Sequence, residues 1–147
     1  MMHIITSEID VNQILNSMTD KNGQSGATVV FTGSVRNSGK RGPVTEMYYE
    51  AYTEMAEKTL KKIEDMAMKE WGINRIQIVH RIGRLHLGDI SVVIAISSPH
   101  SKEAFEICEK ILAMIKQSVP IWKKELLSNG IEQWVDGKVI NANNGSG

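Results

Sequence analysis

The chain has 147 residues, with seventeen basic and seventeen acidic side chains, so its formal net charge is zero. This length suits one domain with a buried core, and the hydrophobic content of 41% is ordinary for a globular protein. The balanced charge argues against broad nucleic-acid binding, which requires a basic surface. No apolar run reaches the length of a membrane span, and the first residues lack the charged and apolar regions of a signal peptide.

The cysteine and histidine content limits the possible chemistry. A single cysteine, Cys108, excludes an intrachain disulfide and a cysteine-based zinc cluster. The four histidines include no pair at the spacing of helical metal ligands, so we expect no metal site and no cofactor. One free thiol and eight methionines are typical of a reducing compartment, and we expect a cytoplasmic protein.

The first part of the chain predicts a strand, a helix and a loop. Residues 4–5 are apolar and suit a short edge strand. Asp10 is placed to cap a short helix that runs to about Met18. Residues 20–26 are polar and contain two glycines, which is typical of a loop.

Two strands separated by a long basic loop follow. Residues 27–31 are β-branched and apolar, which predicts a buried strand that ends at Gly33. Residues 34–43 contain two glycines, a proline and three cations, so we expect an irregular loop of the kind that often carries function. Residues 44–52 alternate between two faces and predict the next strand.

The middle of the chain predicts a long helix and a strand. Thr53 is the expected N-cap, apolar residues then recur at helical spacing to about Trp71, and Gly72 is a good terminator. Residues 73–82 predict a strand, and residues 83–88 predict a turn.

A central strand and a second long helix come next. Residues 91–97 are apolar on both faces, as in a strand buried inside a sheet. The following helix opens at residues 99–101, and Cys108 lies in its apolar stripe, so we interpret this thiol as inert core. The other stripe residues are Ala104, Phe105, Ile111, Leu112 and Ile115.

The order of elements predicts an α+β class. We expect a single domain over residues 1–140, built on one mixed or antiparallel sheet with helices packed on it. Residues 133–135 suit a last short strand. Residues 141–147 contain only Asn, Ala, Gly and Ser, and we expect them to be disordered.

The stretch after the second helix is the first candidate for a site. Lys116 ends the helix, Pro120 breaks it, and Trp122, Lys123 and Lys124 follow. Three ammonium groups around a turn, with an indole between them, suit an anion that carries a planar ring. The helix dipole favours a lysine in the last turn of any helix, so Lys116 needs no functional explanation. Lys123 and Lys124 also suit a solvated surface. The spacing alone therefore leaves two interpretations open, an anion site and ordinary surface charge.

The other basic residues suit anions to different degrees. Arg36 lies near a strand end, where a guanidinium can be held for bidentate phosphate contact, whereas Lys40 and Arg41 are more typical of a mobile surface. His100 opens a helix, where backbone N–H groups attract anions, although a surface histidine fits equally well. His80 shares a face with apolar residues and is interpreted as a core histidine. The residues alone therefore indicate a basic, aromatic-walled pocket for a phosphorylated planar ligand.

These residues, in order, resemble the large, catalytic subunit of molybdopterin synthase, the MoaE family. The resemblance spans about residues 26–135, most of the chain, and depends on the ordered set of segments rather than on any one of them. The segments are residues 26–27, 31–36, 49–52, 55–56, 80–83, Leu85, Gly88, 97–98, His100, 104–105, Lys116 and 119–125.

The resemblance implies an activity and an assembly. Family members transfer sulfur from the C-terminal Gly-Gly thiocarboxylate of a small ubiquitin-like subunit to cyclic pyranopterin monophosphate, which forms the dithiolene of molybdopterin. They assemble as a heterotetramer, with a large-subunit homodimer at the centre and a small subunit at each end. Because the partner brings the sulfur, the reaction needs neither Cys108 nor a metal.

The resemblance also implies roles for residues. Lys116 and Lys123 would be catalytic. The substrate-binding residues would be Ser34, Val35, Arg36, His100, Ser101, Lys116, Lys123, Lys124 and Glu125. The family usually has an arginine where this chain has Ser101, and Lys102 need not reach the same place because a helix turns about 100° per residue. The alternative is a non-catalytic phospho-ligand-binding or scaffold module that kept the pocket and lost turnover with this arginine.

Overall fold

The computed structural model describes residues 2–135, so the expected domain end at 140 and the tail at 141–147 lie outside the described residues. The elements in chain order are β1 (Ile4–Ile5), α1 (Val11–Ser17), β2 (Ala27–Ser34), β3 (Ser38–Gly39), β4 (Gly42–Ala51), α2 (Thr53–Glu70), β5 (Arg75–Arg81), β6 (Gly83–His86), β7 (Ile90–Ser98), α3 (Ser101–Ser118), β8 (Ile121–Leu127) and β9 (Glu132–Trp134). None of the described helices is long and apolar enough to cross a membrane.

The α+β class is confirmed, but the strands form two sheets instead of the expected one. The first sheet has the order β1-β5-β7-β2, with β1 parallel to β5 and the other pairs antiparallel. The second sheet contains β3, β4, β8 and β9 in that order, and β6 also pairs with β4. The prediction of a single sheet was wrong because β4 pairs with β8, a strand that the sequence analysis did not include.

Helices cover both faces of the first sheet. The apolar faces of α2 and α3 pack on one side of β7, where Ile94 and Ile96 are fully buried. Helix α1 packs on the other side, against Val93 and Ala95. Because neighbouring side chains of a strand point to opposite faces, a strand between two helical layers must be apolar throughout. The prediction that residues 91–97 form a central buried strand is therefore confirmed.

Several local predictions differ from the structure. Strand β2 lies at an edge of the first sheet and is only half-buried, because within the described chain it has a neighbour on one side alone. Thr53 is the first helical residue, and Tyr52 occupies the N-cap position without a side-chain hydrogen bond. The predicted turn at 83–88 begins with strand β6, and the chain reverses only at Gly88, whose φ is +87°. Phe105 is 65% exposed and does not belong to the apolar stripe of α3.

The largest difference concerns the chain after Pro120, which continues as strand β8 rather than as a turn. Strand β8 pairs with β4, so that Lys123 lies opposite Tyr49 and Lys124 lies opposite Tyr48. Side chains alternate along a strand, so the two neighbouring lysines face opposite sides of the second sheet. They cannot form the single cluster that a turn would have produced.

Candidate functional site

A cavity between the end of α3, strand β8 and the first sheet contains both predicted catalytic lysines. It has a volume of about 440 Å³, and we call it the aromatic cavity because Phe31, Tyr49 and Trp122 contribute to its walls. Lys116 and Lys123 line it as well. Pockets of this size hold small planar ligands when apolar walls are combined with a few polar groups.

The end of α3 fixes Lys116 at this cavity. Lys116 belongs to the last turn of the helix, which ends at Ser118. Val119 leaves the helical conformation, with a φ of −82° and a ψ of 128°, and its N–H still donates to the carbonyl of Ile115 at 3.2 Å. This extended conformation is expected for a residue before proline, and the Val119 side chain is fully buried. The predicted break at Pro120 is confirmed.

Lys123 has an unusual electrostatic environment. Partial burial of its ammonium lowers its pKa, and the charges of Lys116 and Arg36 lower the pKa further. Glu125 opposes this shift, because its carboxylate favours the charged ammonium. A lysine with a lowered pKa is neutral in a larger fraction of molecules near pH 7, so Lys123 can both accept and donate a proton.

A second cavity adjoins the first. It has a volume of about 520 Å³, and we call it the basic cavity because Arg36, Lys40 and Arg41 line it together with Lys123. Lys40 and Arg41 are exposed, as the sequence interpretation of a surface loop expects, and they line this cavity as well. The residues that line both cavities are Ser34, Tyr49, Lys123 and Val135. Lys123 therefore lies at the boundary between the aromatic cavity and the basic cavity.

The backbone before Arg36 is held from both sides. The N–H of Val35 donates to the carbonyl of Asp89 at 3.0 Å, and the carbonyl of Val35 accepts from the N–H of Gly88 at 2.8 Å. Arg81 lies 3.7 Å from the Asp89 carboxylate. Val35 was predicted to bind substrate; its side chain is buried, and its backbone hydrogen bonds fix the direction of the chain at Arg36. The side chain of Ser34, on the preceding residue, reaches both cavities.

Glu125 closes the floor of the basic cavity. It is only 9% exposed, although it carries a carboxyl group. The backbone of Gly39 lies directly against it, since a Cβ at that position would be 2.5 Å from Glu125 Oε2. A larger residue at position 39 would require the Glu125 carboxylate to shift.

Tyr49 and His80 form a wall of the aromatic cavity that the sequence analysis did not identify. Burial raises the pKa of the Tyr49 phenol, and a hydrogen bond from Ser91 partly opposes the shift. The Tyr49 and His80 rings meet edge to face, with centroids 5.0 Å apart. His80 is buried, as expected, and its Nδ1 lies 2.9 Å from the carbonyl of Arg81. The alternation of side chains along β4 and β5 predicted the strand face on which each residue lies, but not that both residues line the same cavity.

His100 and Ser101 lie at the other end of α3. His100 occupies the N-cap position, and Ser101 is the first helical residue. With a rise of 1.5 Å per residue, the fifteen residues from Ser101 to Lys116 span about 22 Å. Within one chain, these two predicted binding residues are therefore not brought together with the lysines.

Lys124 also lies apart from the two cavities. Its ammonium is 5.4 Å from the centroid of the Tyr48 ring and 5.2 Å from that of the Trp134 ring, on the opposite face of β8 from Lys123. Its Nζ is 3.3 Å from Glu132 Oε1. The structure does not place it among the groups that line either cavity. Among the described residues, no cluster of His, Cys, Asp and Glu is arranged to hold a metal ion.

Comparison with known proteins places these observations in a family. Residues 4–118 match the model of the MoaE protein family. The chain is 41% identical over 132 residues to a molybdopterin synthase catalytic subunit from Thermoplasma volcanium, and the matched region covers 90% of this chain and 96% of that protein. It is 47% identical over 114 residues to the corresponding subunit from Staphylococcus carnosus, covering 78% and 75% of the two chains.

A solved structure agrees with this relationship. The crystal structure of molybdopterin synthase from Staphylococcus aureus superposes with a TM-score of 0.82 at 41% sequence identity, covering 92% of this chain and 96% of the other. Fold, sequence and family model thus agree over nearly the whole described chain, and the chain belongs to the MoaE protein family.

Proposed function

We propose that this chain is the catalytic subunit of a molybdopterin synthase and that it transfers sulfur to cyclic pyranopterin monophosphate. Its membership of the MoaE family and the names of its relatives support this assignment. In the chain itself, the observation that carries the proposal is the position of Lys123. This lysine has a lowered pKa and lies where the aromatic cavity meets the basic cavity.

Two adjoining cavities suit a reaction between two ligands. The substrate brings a planar pterin, for which the walls of Phe31, Tyr49 and Trp122 offer flat apolar contact. The sulfur donor is a small ubiquitin-like subunit that ends in a Gly-Gly thiocarboxylate. A glycine tail has no side chains and can enter a narrow space, and its terminal anion suits the cations of the basic cavity.

The two lysines then have complementary roles. Transfer forms a bond from the thiocarboxylate sulfur to a substrate carbon and breaks a carbon–oxygen bond at that carbon, so that the oxygen leaves as water or with the phosphate. Water then cleaves the bond between this sulfur and the partner's terminal carbonyl, which leaves a carboxylate on the partner and a thiolate on the substrate. Lys116 supplies a fixed positive charge for the negative charge that develops on sulfur and oxygen. Lys123, with its lowered pKa, exchanges protons with the substrate and water.

A homodimer accounts for the distant predicted residues. His100 and Ser101 are about 22 Å from Lys116 along α3, so they can reach the same ligand only from a second copy. Two α3 helices that run antiparallel would bring the first turn of one to the last turn of the other. The exposure of Phe105, on the same helix, supports a covered surface there. The family's usual arginine is absent at Ser101, which would weaken the phosphate contact.

We also propose that the reaction takes place in the cytoplasm. Cys108 is a free, buried thiol, and free thiols persist in reducing compartments. A thiocarboxylate donor likewise requires conditions in which its sulfur is not oxidised.

An in vitro conversion assay tests the proposal. The chain is mixed with a thiocarboxylated small subunit and cyclic pyranopterin monophosphate, and molybdopterin is measured for wild type, Lys116→Ala and Lys123→Ala. We expect product from wild type and a loss of at least about 100-fold in both variants. Lys58→Ala, which changes an exposed lysine on α2, is the matched control and should retain activity. Partner binding without product in wild type would favour the scaffold alternative, which the loss of the arginine at Ser101 suggests.

A further inference from the structure

A cation–π cluster spans three strands on the face of the second sheet that is turned away from Lys123. Lys124 of β8 lies directly opposite Tyr48 of β4 and directly opposite Trp134 of β9. Directly opposite residues of neighbouring strands share a face, so the ammonium lies between the two rings, 5.4 Å and 5.2 Å from their centroids. The carboxylate of Glu132, also on β9, is 3.3 Å from the same ammonium.

The cluster is poorly suited to bind the substrate itself. The cavity beside it has a volume of only about 100 Å³, well below the roughly 300 Å³ at which small-molecule pockets begin. Arg84 in that cavity is paired with Glu46, and two carboxylates line it on this face, those of Glu46 and Glu132. They would repel a phosphate or a thiocarboxylate, and the charge of Lys124 is already close to Glu132.

The cluster instead stabilises strand β9, and the residue that follows this strand lines both cavities. Strand β9 has only three residues and lies at the edge of its sheet, so its ladder of hydrogen bonds is short. The next residue, Val135, donates its N–H to the carbonyl of Lys123 at 2.9 Å. Val135 also lines both the aromatic cavity and the basic cavity. A contact that fixes the position of Trp134 therefore also fixes the position of Val135, which lies at the boundary between the two cavities.

We infer that Lys124 is a positioning residue of this site: by holding Trp134 and Glu132 against β8, it keeps Val135 beside Lys123 at the boundary of the two cavities. The inference rests on the proposed function, because the proposed reaction takes place at the boundary between the two cavities. The contact with Val135 is nevertheless a property of the chain alone. It can be tested without substrate or partner.

The first test is hydrogen exchange of the Val135 amide in the free protein. Lys124→Met removes the charge and keeps an unbranched side chain, and we expect exchange at Val135 to become roughly tenfold faster, as for loss of a partly desolvated cation–π contact. Lys124→Arg keeps a cation over both rings and should restore protection. The core amide of Val93 should not change in either variant.

A matched control comes from a similar contact elsewhere. The ammonium of Lys110 lies 5.2 Å from the centroid of the Trp71 ring, between α3 and α2. Lys110→Met should leave the exchange of Val135 unchanged, because this contact touches neither cavity. If Lys124→Met leaves Val135 protection at the wild-type level, or if Lys124→Arg does not restore it, the inference is wrong.

The second test separates positioning from direct ligand contact. In the conversion assay, Lys124→Met should raise the KM for the pterin and leave kcat close to wild type, with both values restored in Lys124→Arg. A higher KM with unchanged Val135 exchange would instead make Lys124 a direct ligand and overturn the inference. If wild type forms no product, the proposed function fails, while the exchange experiment still decides the role of Lys124.

Discussion

Lys116 lowers the pKa of Lys123, although the two lysines belong to different elements on either side of the break at Pro120. The helix ends where it does because Val119 precedes a proline. The following strand then brings Lys123 back to the same cavity. Burial is the main cause that lowers the pKa of Lys123, and repulsion from the Lys116 ammonium adds to it. Lys123 is therefore more readily deprotonated, which is the property that the proposed proton transfer needs.

The titration of Lys123 should respond to each neighbouring charge with a defined sign. Lys116→Met and Arg36→Gln each remove a repelling cation, so the pKa of Lys123 should rise in both variants, while Glu125→Gln removes an attracting carboxylate and should lower it. The measurement is an NMR titration of the Lys123 side-chain ammonium. Shifts of the same sign in all three variants would contradict this electrostatic account.

Restoring an arginine at position 101 should improve substrate binding. A guanidinium can form a charge-assisted contact with the phosphate, so Ser101→Arg is expected to lower the KM for cyclic pyranopterin monophosphate by about tenfold. The value of kcat should change little, because the added guanidinium would contact the phosphate and not the atoms that react. Ser7→Arg, at an exposed position before α1, adds the same charge elsewhere and serves as the control. Equal effects of the two substitutions would show a general charge effect rather than a phosphate contact.

The close approach of Gly39 to Glu125 should appear as a coupling between the two positions. Gly39→Ala introduces a Cβ that would lie 2.5 Å from the carboxylate, and we expect a loss of about 1 kcal/mol in the free energy of unfolding. In a Glu125→Ala background, the same substitution should cost much less, because the opposing atoms are gone. Urea unfolding of the four proteins measures this coupling. Additive effects would show that the approach does not constrain the loop.

A histidine at the start of the chain should make stability depend on pH. His3 is buried between two carboxylates, with Nδ1 2.9 Å from Glu57 and Nε2 2.8 Å from Glu64. The hydrogen bond to Glu64 is the main cause that raises the pKa of His3 above its ordinary 6.5; burial opposes it, and Glu57 adds to it. A raised pKa in the folded state stabilises the protein fully below pH 6.5, and this contribution is lost as the pH rises through the folded-state value.

The carboxylate of Glu57 has the opposite dependence. Burial favours its neutral form, but hydrogen bonds from the N–H groups of Ile4 and His3 outweigh burial and lower its pKa below 4.5. Its contribution is therefore present above pH 4.5 and is lost as the pH falls. Glu64→Gln should cost about 1–2 kcal/mol near pH 6 and reduce the loss at alkaline pH. Urea midpoints between about pH 3 and pH 9 cover the titration of both groups, with a precision of about a few tenths of a kcal/mol, and the exposed Glu54→Gln is the control.

Local signals in the sequence were enough for several features of the site. The proline rule placed the break at Pro120, helical spacing placed Lys116 in the last turn, and unbroken apolarity placed β7 in the centre of a sheet. Each of these rules depends on residues that are close together in the chain. The match to the family model confirmed the resemblance to the MoaE family. This resemblance could be found in the sequence because it depended on an ordered series of such local segments.

The remaining features depend on pairing between distant strands. Lys123 and Lys124 are adjacent in the sequence, and only the pairing of β8 with β4 sends one into the cavities and the other toward Trp134. Likewise, Tyr49 and His80 meet because strands from two different sheets come together at one wall of the aromatic cavity. A one-residue change of register would exchange the faces of both lysines, and nothing in the local sequence sets that register.

The central claim, that Lys123 carries out sulfur transfer, is tested most directly by a single-turnover experiment. The thiocarboxylated small subunit is bound to wild type or to Lys123→Ala, the pterin substrate is added, and mass spectrometry follows conversion of the partner's C-terminus from thiocarboxylate to carboxylate. We predict conversion in step with product formation in wild type, and intact thiocarboxylate in a Lys123→Ala complex that still binds both ligands. Conversion at the wild-type rate in that variant would contradict the account.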